Sequence, residues 1–252
     1  QLHADPRMEL YPANILENQY LRAEFDDSMQ LIRLTDKETN ADLITQPSGY
    51  FTLTMQNHRG ATVFPGNSWV EGFTVQEHNL NLEGHVFITQ KPAGSLRQSI
   101  RGSISYGKSV LKLEVALNQE ARVLEYKVEC DWHEDFDPAC GIPALRFRLP
   151  LSKTVEKYIY KVPFGFLERE PRHHDVPAIG CGFAQLSREN ARGIALLADT
   201  CYAYRGEENM LGLTMIRSSQ DPDRYPEKGL HAFRIGVALC EPDVDQLALM
   251  SA

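Results

Sequence analysis

Apolar and polar residues alternate with period two through much of this chain. Leu111, Leu113, Val115 and Leu117 fall on one side of an extended segment, with Lys112, Glu114 and Ala116 between them. A cleaner run follows, in which Leu124, Tyr126, Val128, Cys130 and Trp132 alternate with Glu125, Lys127, Glu129 and Asp131. Leu145, Phe147, Leu149 and Leu151 are interleaved with Arg146 and Arg148, and Phe233, Ile235, Val237 and Leu239 repeat the pattern. Such alternation predicts half-buried antiparallel strands with one face on a core and one in water. Ile194–Ala198 is apolar throughout, which predicts a strand covered on both faces.

Helical periodicity is scarce. No window of a dozen residues carries a sustained i, i+3, i+4, i+7 stripe, and Gly or Pro interrupts most candidates. Turn chemistry recurs between the alternating runs, as at Glu24–Ser28 and Gln56–Gly60. Many strands without intervening helices predict an all-β fold, a large antiparallel sandwich rather than a βαβ fold. No repeat, low-complexity tract or Gly/Ser linker divides residues 1–252, so one domain is expected, with a loop-rich stretch near 133–143.

Composition narrows the class of partner. The 252 residues carry 26 Lys plus Arg against 34 Asp plus Glu, a formal net charge of −8. An acidic chain without a basic stripe is a poor binder of nucleic acid or anionic membrane. No apolar run approaches the roughly 20 residues of a bilayer span. Cys130, Cys140, Cys181, Cys201 and Cys240 are scattered and odd in number. They read as reduced buried thiols, and cytoplasmic residence is the expectation that follows. The first residue is Gln1 rather than Met, which suggests a piece of something longer.

Familiar catalytic patterns are missing from the sequence: no HExxH, G-x-S-x-G, Walker loop or strand–GxGxxG–helix occurs. His173-His174-Asp175 is the most metal-like cluster, but adjacent residues on an extended chain point apart, which favours a polar loop or strand edge. Asp131-Trp132-His133-Glu134 reads as a core anchor at Trp132 with a solvated strand end around it. The segment Arg217–Pro226 is too long and polar for a simple hairpin turn. Its two Arg, two Asp and one Tyr suit either sugar hydroxyls or an Arg–Asp network that shapes the loop, and both readings stand.

Taken together, these segments resemble the C-terminal β domain of bacterial α-mannosidases in glycoside hydrolase family 38. The stretch from Asn14 to Asp26, followed by Leu34–Asn40, is similar to that family's NEY-x-x-x-x-F…L-x-DKETG, with Asn40 in place of the usual Gly. Ser68-Trp69-Val70-Glu71-Gly72 resembles a Trp-centred motif, and Val128–Glu134 resembles a VDWHE strand end. Val162–Arg169 is similar to IPFG-x-x-ER, and Asp175-Val176-Pro177 to the DVPA that follows. Arg205–Asn209, Leu213–Ser219, Asp221–Asp223 and Tyr225–Glu227 resemble RG-x-x-N…LTLIRSS-x-DPDPYPE. The ordered set runs from residue 14 to about residue 240.

The resemblance implies an antiparallel β supersandwich, galactose-mutarotase-like, attached to a retaining, zinc-dependent exo-α-mannosidase. The nucleophile and the zinc would lie on an N-terminal catalytic domain, so none of the residues here is expected to be catalytic or to bind metal. That domain and the α-mannoside substrate are the expected partners, with self-association through an apolar docking surface as a further expectation. By the same resemblance Arg217, Asp221 and Asp223 are candidates for reaching substrate, with Tyr50 of Pro47-Ser48-Gly49-Tyr50 beside them. Two alternatives remain open at this point. One is a stand-alone aldose-1-epimerase-like enzyme drawing on His78, His85 or His133. The other is a carbohydrate-binding module, which the core-like setting of Trp69 and Trp132 disfavours.

Overall fold

The computed structural model describes residues 14–57, 71–90, 92, 96–186, 193–219, 221 and 227–240. Four short strands open the chain: β1 (Ile15–Glu17), β2 (Leu21–Phe25), β3 (Leu31–Asp36) and β4 (Ala41–Ile44) form an antiparallel meander. The turn from β3 to β4 places Asn40 at φ 53°. A left-handed residue is required there, and Asn is among the few non-glycine residues that adopt it readily, which explains why it stands in for Gly.

Next come β5 (Tyr50–Asn57), β6 (Phe73–Asn79), the single helical turn α1 (Leu80–Glu83), β7 (His85–Gln90) and β8 (Arg97–Tyr106). The Asn79 side chain caps α1 by accepting from the amides of Asn81 and Leu82. The long strands β9 (Ser109–Asn118), β10 (Val123–Trp132) and β11 (Ile142–Pro150) follow. After them lie β12 (Val155–Val162), β13 (Gly165–Arg169), β14 (Val176–Pro177), β15 (Cys181–Leu186) and β16 (Gly193–Ala198). The last three are β17 (Ala203–Glu207), β18 (Met210–Arg217) and β19 (Gly229–Cys240).

Two large antiparallel sheets form the sandwich. One has nine strands in the order β13-β12-β15-β16-β19-β10-β9-β8-β7, and the other has six in the order β14-β17-β18-β11-β5-β6. Their inner faces meet through aromatic rings. Tyr126 of β10 packs edge-on to Phe147 of β11 at 5.0 Å, and Phe147 meets Phe51 of β5 at 5.4 Å. Leu16, Phe25, Leu34 and Ile44 from the small meander join the same buried cluster.

The predicted strands at 111–117, 124–132 and 233–239 lie in β9, β10 and β19, and β11 holds all of the run at 145–151 except Leu151; in each the alternating large apolar side chains face the core. Ile194 and Leu196 belong to the main cluster, whereas Ala195 packs with Phe183 and Ala238 on the other side, so β16 is covered on both faces as expected. Of the turn expected at 56–60, Gln56 and Asn57 instead finish β5, and the rest lies outside the described residues.

One expectation fails in an informative way. Arg146 and Arg148, the polar partners in the alternation of β11, do not face water: both are buried. The Glu71 carboxylate and the residues just before β14 lie over the outer face of the six-stranded sheet. A strand can therefore alternate in polarity while both its faces are enclosed.

Cys130, Cys181, Cys201 and Cys240 are buried, and Cys140 is half-buried. Burial, assisted by neighbouring carboxylates at Cys130 and Cys201, pushes the Cys130, Cys181 and Cys201 thiols up to about 12. A disulfide reagent at pH 8 is therefore expected to label one thiol per native molecule promptly and all five after denaturation. Rapid labelling of three or more in the native state would contradict this packing.

Candidate functional site

The outer face of the six-stranded sheet gathers the charged side chains. On β11, Arg146 and Arg148 point outward while Leu145, Phe147 and Leu149 point into the core. Arg148 lies opposite Tyr50 on β5 and Gly212 on β18, and Arg146 lies opposite Thr52 and Thr214. Ala144 lies opposite Thr54 and Arg217. On β17, Arg205 pairs with Gly212 and so joins the row of Arg148.

A bulge completes this arrangement. Pairing between β11 and β18 shifts between Leu145 and Arg146, so that Leu145 meets Ile216 while Arg146 meets Thr214. Met215 is the additional residue. Thr214 and Arg217 are three positions apart, an odd spacing that would put them on opposite faces of a regular strand. The extra residue brings both to the outer face.

The guanidinium groups of Arg146, Arg148 and Arg205 are held by three carboxylates. Glu71 Oε1 accepts from Arg146 Nη2 at 2.9 Å and also from Arg205 Nη2. Glu71 Oε2 accepts from the backbone N–H of Asp175 at 2.8 Å. Asp175 Oδ1 accepts from Arg205 Nε at 2.9 Å, and its Oδ2 from the Thr214 hydroxyl at 2.6 Å. Arg148 makes a two-pronged contact with Glu77 of β6, at 3.0 and 2.9 Å. Burial pulls the Arg146 guanidinium down; Asp175 and Glu71 oppose that fall, while Arg205 and Arg148 add to it.

Three of the four site candidates, Arg217, Tyr50 and Asp221, lie among the described residues. Arg217 donates from Nε to Gln56 Oε1 at 2.7 Å, and the Gln56 amide donates onward to Glu71 at 3.3 Å. Burial lowers the Arg217 guanidinium, against the pull of Glu71 and Asp175. Tyr50 is half-buried at the start of β5; desolvation, together with the Glu77 carboxylate, pushes its phenol up, and Arg148 partly offsets this. Four residues along β11, about 13 Å, separate the row of Tyr50 from that of Arg217. Both therefore lie on one face but do not meet. Asp221 is half-buried, and Asp223 lies outside the described residues. An open groove of about 760 Å³ borders the Arg148 end, with Gln46, Glu77, Ser152 and Asn209 among its walls.

The other chemical-looking motifs serve the scaffold. Trp132 is fully buried and donates from Nε1 to the Ser218 hydroxyl at 2.6 Å, so the second residue of Arg217-Ser218-Ser219 is anchored to the core. Glu134 accepts from the Lys108 amide and the Ser109 hydroxyl. In Arg205-Gly206, a Cβ on Gly206 would lie 2.3 Å from the Tyr158 ring, so that ring packs directly on the backbone. Asn209 accepts from the Val155 amide and fixes the entry to β12. His173 pairs with Glu207, and His174 lies 3.8 Å from Glu71, so the His-His-Asp run is divided between different partners. Trp69 lies outside the described residues. Among the described residues no three His, Cys, Asp or Glu side chains converge as metal ligands, so they do not fit the zinc that the resemblance implies, and no chemical step is assigned through it.

Sequence reasoning missed Arg146 and Arg148 as members of a site, because each occupies a polar slot of an ordinary alternation, and it placed Arg205 in a motif without giving it a role. The pairing of Glu71 with Asp175 across 104 positions left no local signal.

Comparison with known proteins agrees with this architecture. Alpha-mannosidase G of Dictyostelium discoideum is 24% identical over 239 residues, covering 88% of this chain and 21% of that protein. The chain thus spans about a fifth of that relative's length. A glycosyl hydrolase family 38 protein from Enterococcus faecalis shares the fold with a TM-score of 0.71 at 11% identity, over 94% of this chain and 31% of that one. A putative aldose 1-epimerase from Escherichia coli K12 shares it with a TM-score of 0.53 at 9% identity, over 91% of this chain and 99% of that one. The all-β fold is therefore of the galactose-mutarotase-like kind. The model of the glycosyl hydrolases family 38 C-terminal domain matches residues 16–225, and the chain belongs to that family.

Proposed function

We propose that this chain is the C-terminal β portion of a retaining α-mannosidase and that the outer face of its six-stranded sheet walls one side of the substrate site. The observation that carries this reading is the family 38 match over residues 16–225. A retaining glycosidase needs two carboxyl groups about 5 Å apart, one free to attack and one to trade a proton. On this face Glu71, Glu77 and Asp175 are each committed to guanidinium donors, which supports a wall rather than a reaction centre. The nucleophile, the acid/base and the zinc then belong to an N-terminal catalytic domain of the parent protein.

What remains for this face is positioning. Arg217, Asp221, Asp223 and Tyr50 would offer hydrogen bonds to sugar hydroxyls and displace water from them, holding an α-mannoside in a reactive geometry. The polar groove beside Arg148 is compatible with such a ligand. Reduced thiols fit cytoplasmic residence of the parent enzyme.

The test has two arms. The 252-residue chain, given an aryl α-mannoside with zinc and separately α-glucose in a polarimeter, should neither release the aglycone nor speed mutarotation. Cleavage would overturn the wall reading, and accelerated mutarotation would establish the epimerase alternative. In the full-length parent, Arg217→Ala should lower kcat/KM by about 10²-fold with the fold intact. An unchanged kcat/KM would remove Arg217 from the substrate site.

A further inference from the structure

We propose that Arg146 and Thr52 form a binding site for a small monovalent anion of the halide class within the outer face of the six-stranded sheet. This inference does not rest on the glycosidase reading. Arg146 is only 2% exposed, yet among the described residues its Nε and Nη1 have no hydrogen-bond acceptor; only Nη2 is spent, on Glu71. The Thr52 hydroxyl is equally enclosed and equally without a partner. These two residues are direct cross-strand neighbours on the same face, so their unspent groups share one locality.

Donors of this kind need an acceptor. Guanidinium offers hydrogens and no lone pair, and a threonine hydroxyl can donate one more. The nearby carboxylates cannot fill the role, because Glu71 Oε1 already serves Arg146, Arg205 and Gln56, and Asp175 serves Arg205 and Thr214. Two further guanidinium groups stand beside Arg146. Arg148 is two residues along the same strand, and Arg205 shares the Glu71 carboxylate. Glu71, Asp175 and Glu77 offset the charge of these three groups, so the preference for an anion comes from the unmet donors of Arg146, which as charged donors bind a charged acceptor more strongly than a neutral one. Size sets the other bound. Both unsatisfied groups are closed to solvent, which excludes a saccharide and restricts the proposal to a monatomic or similarly compact ion.

Chloride and bromide are the probes. In chloride the chain should melt about 2–4 °C higher than in gluconate at equal ionic strength, with saturable dependence on chloride. Thr52→Val, which keeps the strand and removes the hydroxyl, should lose most of that chloride-specific rise. Crystals soaked in bromide should show an anomalous peak within hydrogen-bonding distance of Arg146. Equal melting in both salts, an undiminished chloride effect in Thr52→Val, or absence of the bromide peak would each overturn the proposal.

Discussion

Replacing Glu71 with alanine is expected to destabilise the chain by about 3–5 kcal/mol, because it leaves buried guanidinium groups without their counter-charge. The carboxylate accepts from Arg146 and Arg205, both almost fully buried, and from Gln56 and the Asp175 amide. None of these donors can turn to solvent without opening the segment that covers the sheet. Urea unfolding monitored by fluorescence would register the loss as a fall in midpoint of about 1–3 M at an ordinary slope. Glu71→Gln, which retains one acceptor oxygen, should cost less. Adding Arg146→Met to Glu71→Ala should recover part of the loss, since an uncompensated charge is then removed. A penalty below about 1 kcal/mol for Glu71→Ala would mean that water reaches the network and that the pairs are of the weak, exposed kind.

Trp132→Ala is expected to cost about 3–5 kcal/mol, the usual range for deleting a fully enclosed aromatic side chain. Trp132 is 1% exposed at the end of β10, and its indole N–H reaches the Ser218 hydroxyl on the segment leaving β18. The loss therefore combines an emptied volume in the core with release of the residue next to Arg217. Ser218→Ala isolates the second part. It should cost about 1–3 kcal/mol for stranding the buried indole donor, with the packing retained. If both variants cost the same, the ring contributes little beyond its hydrogen bond and the core account is wrong.

How much of this was legible beforehand follows from the kind of signal each feature leaves. The strands carrying Leu111–Leu117 and Leu124–Trp132 declare themselves, because a single buried face forces strict alternation on neighbouring positions. The same rule misled at Arg146 and Arg148: alternation reports that two faces differ in chemistry, not that one of them is wet. The partners of Arg146 arrive from Glu71 and Asp175, about 75 and 30 positions away, and that of Arg148 from Glu77, about 70 away, and no local window contains both ends of such a contact. The motifs around Arg205 and Arg217 stood out as ordered patterns, yet their roles divide on inspection. Arg205, Gly206 and Asn209 hold the sheet and its turns, whereas Arg217 lies at the margin of the described face.

The irregular pairing around Met215 bears on how the Arg217 edge tolerates change. Because one surplus residue sets the direction of everything after it, the aim of Arg217 depends on a count of positions and not on the chemistry of any single side chain. Losing the bulge at unchanged length would invert that aim while every residue type stayed familiar, whereas removing Met215 together with the bulge would leave Arg217 facing outward. The register of pairing, more than the residue type at any one position, is therefore what would redraw this margin of the protein.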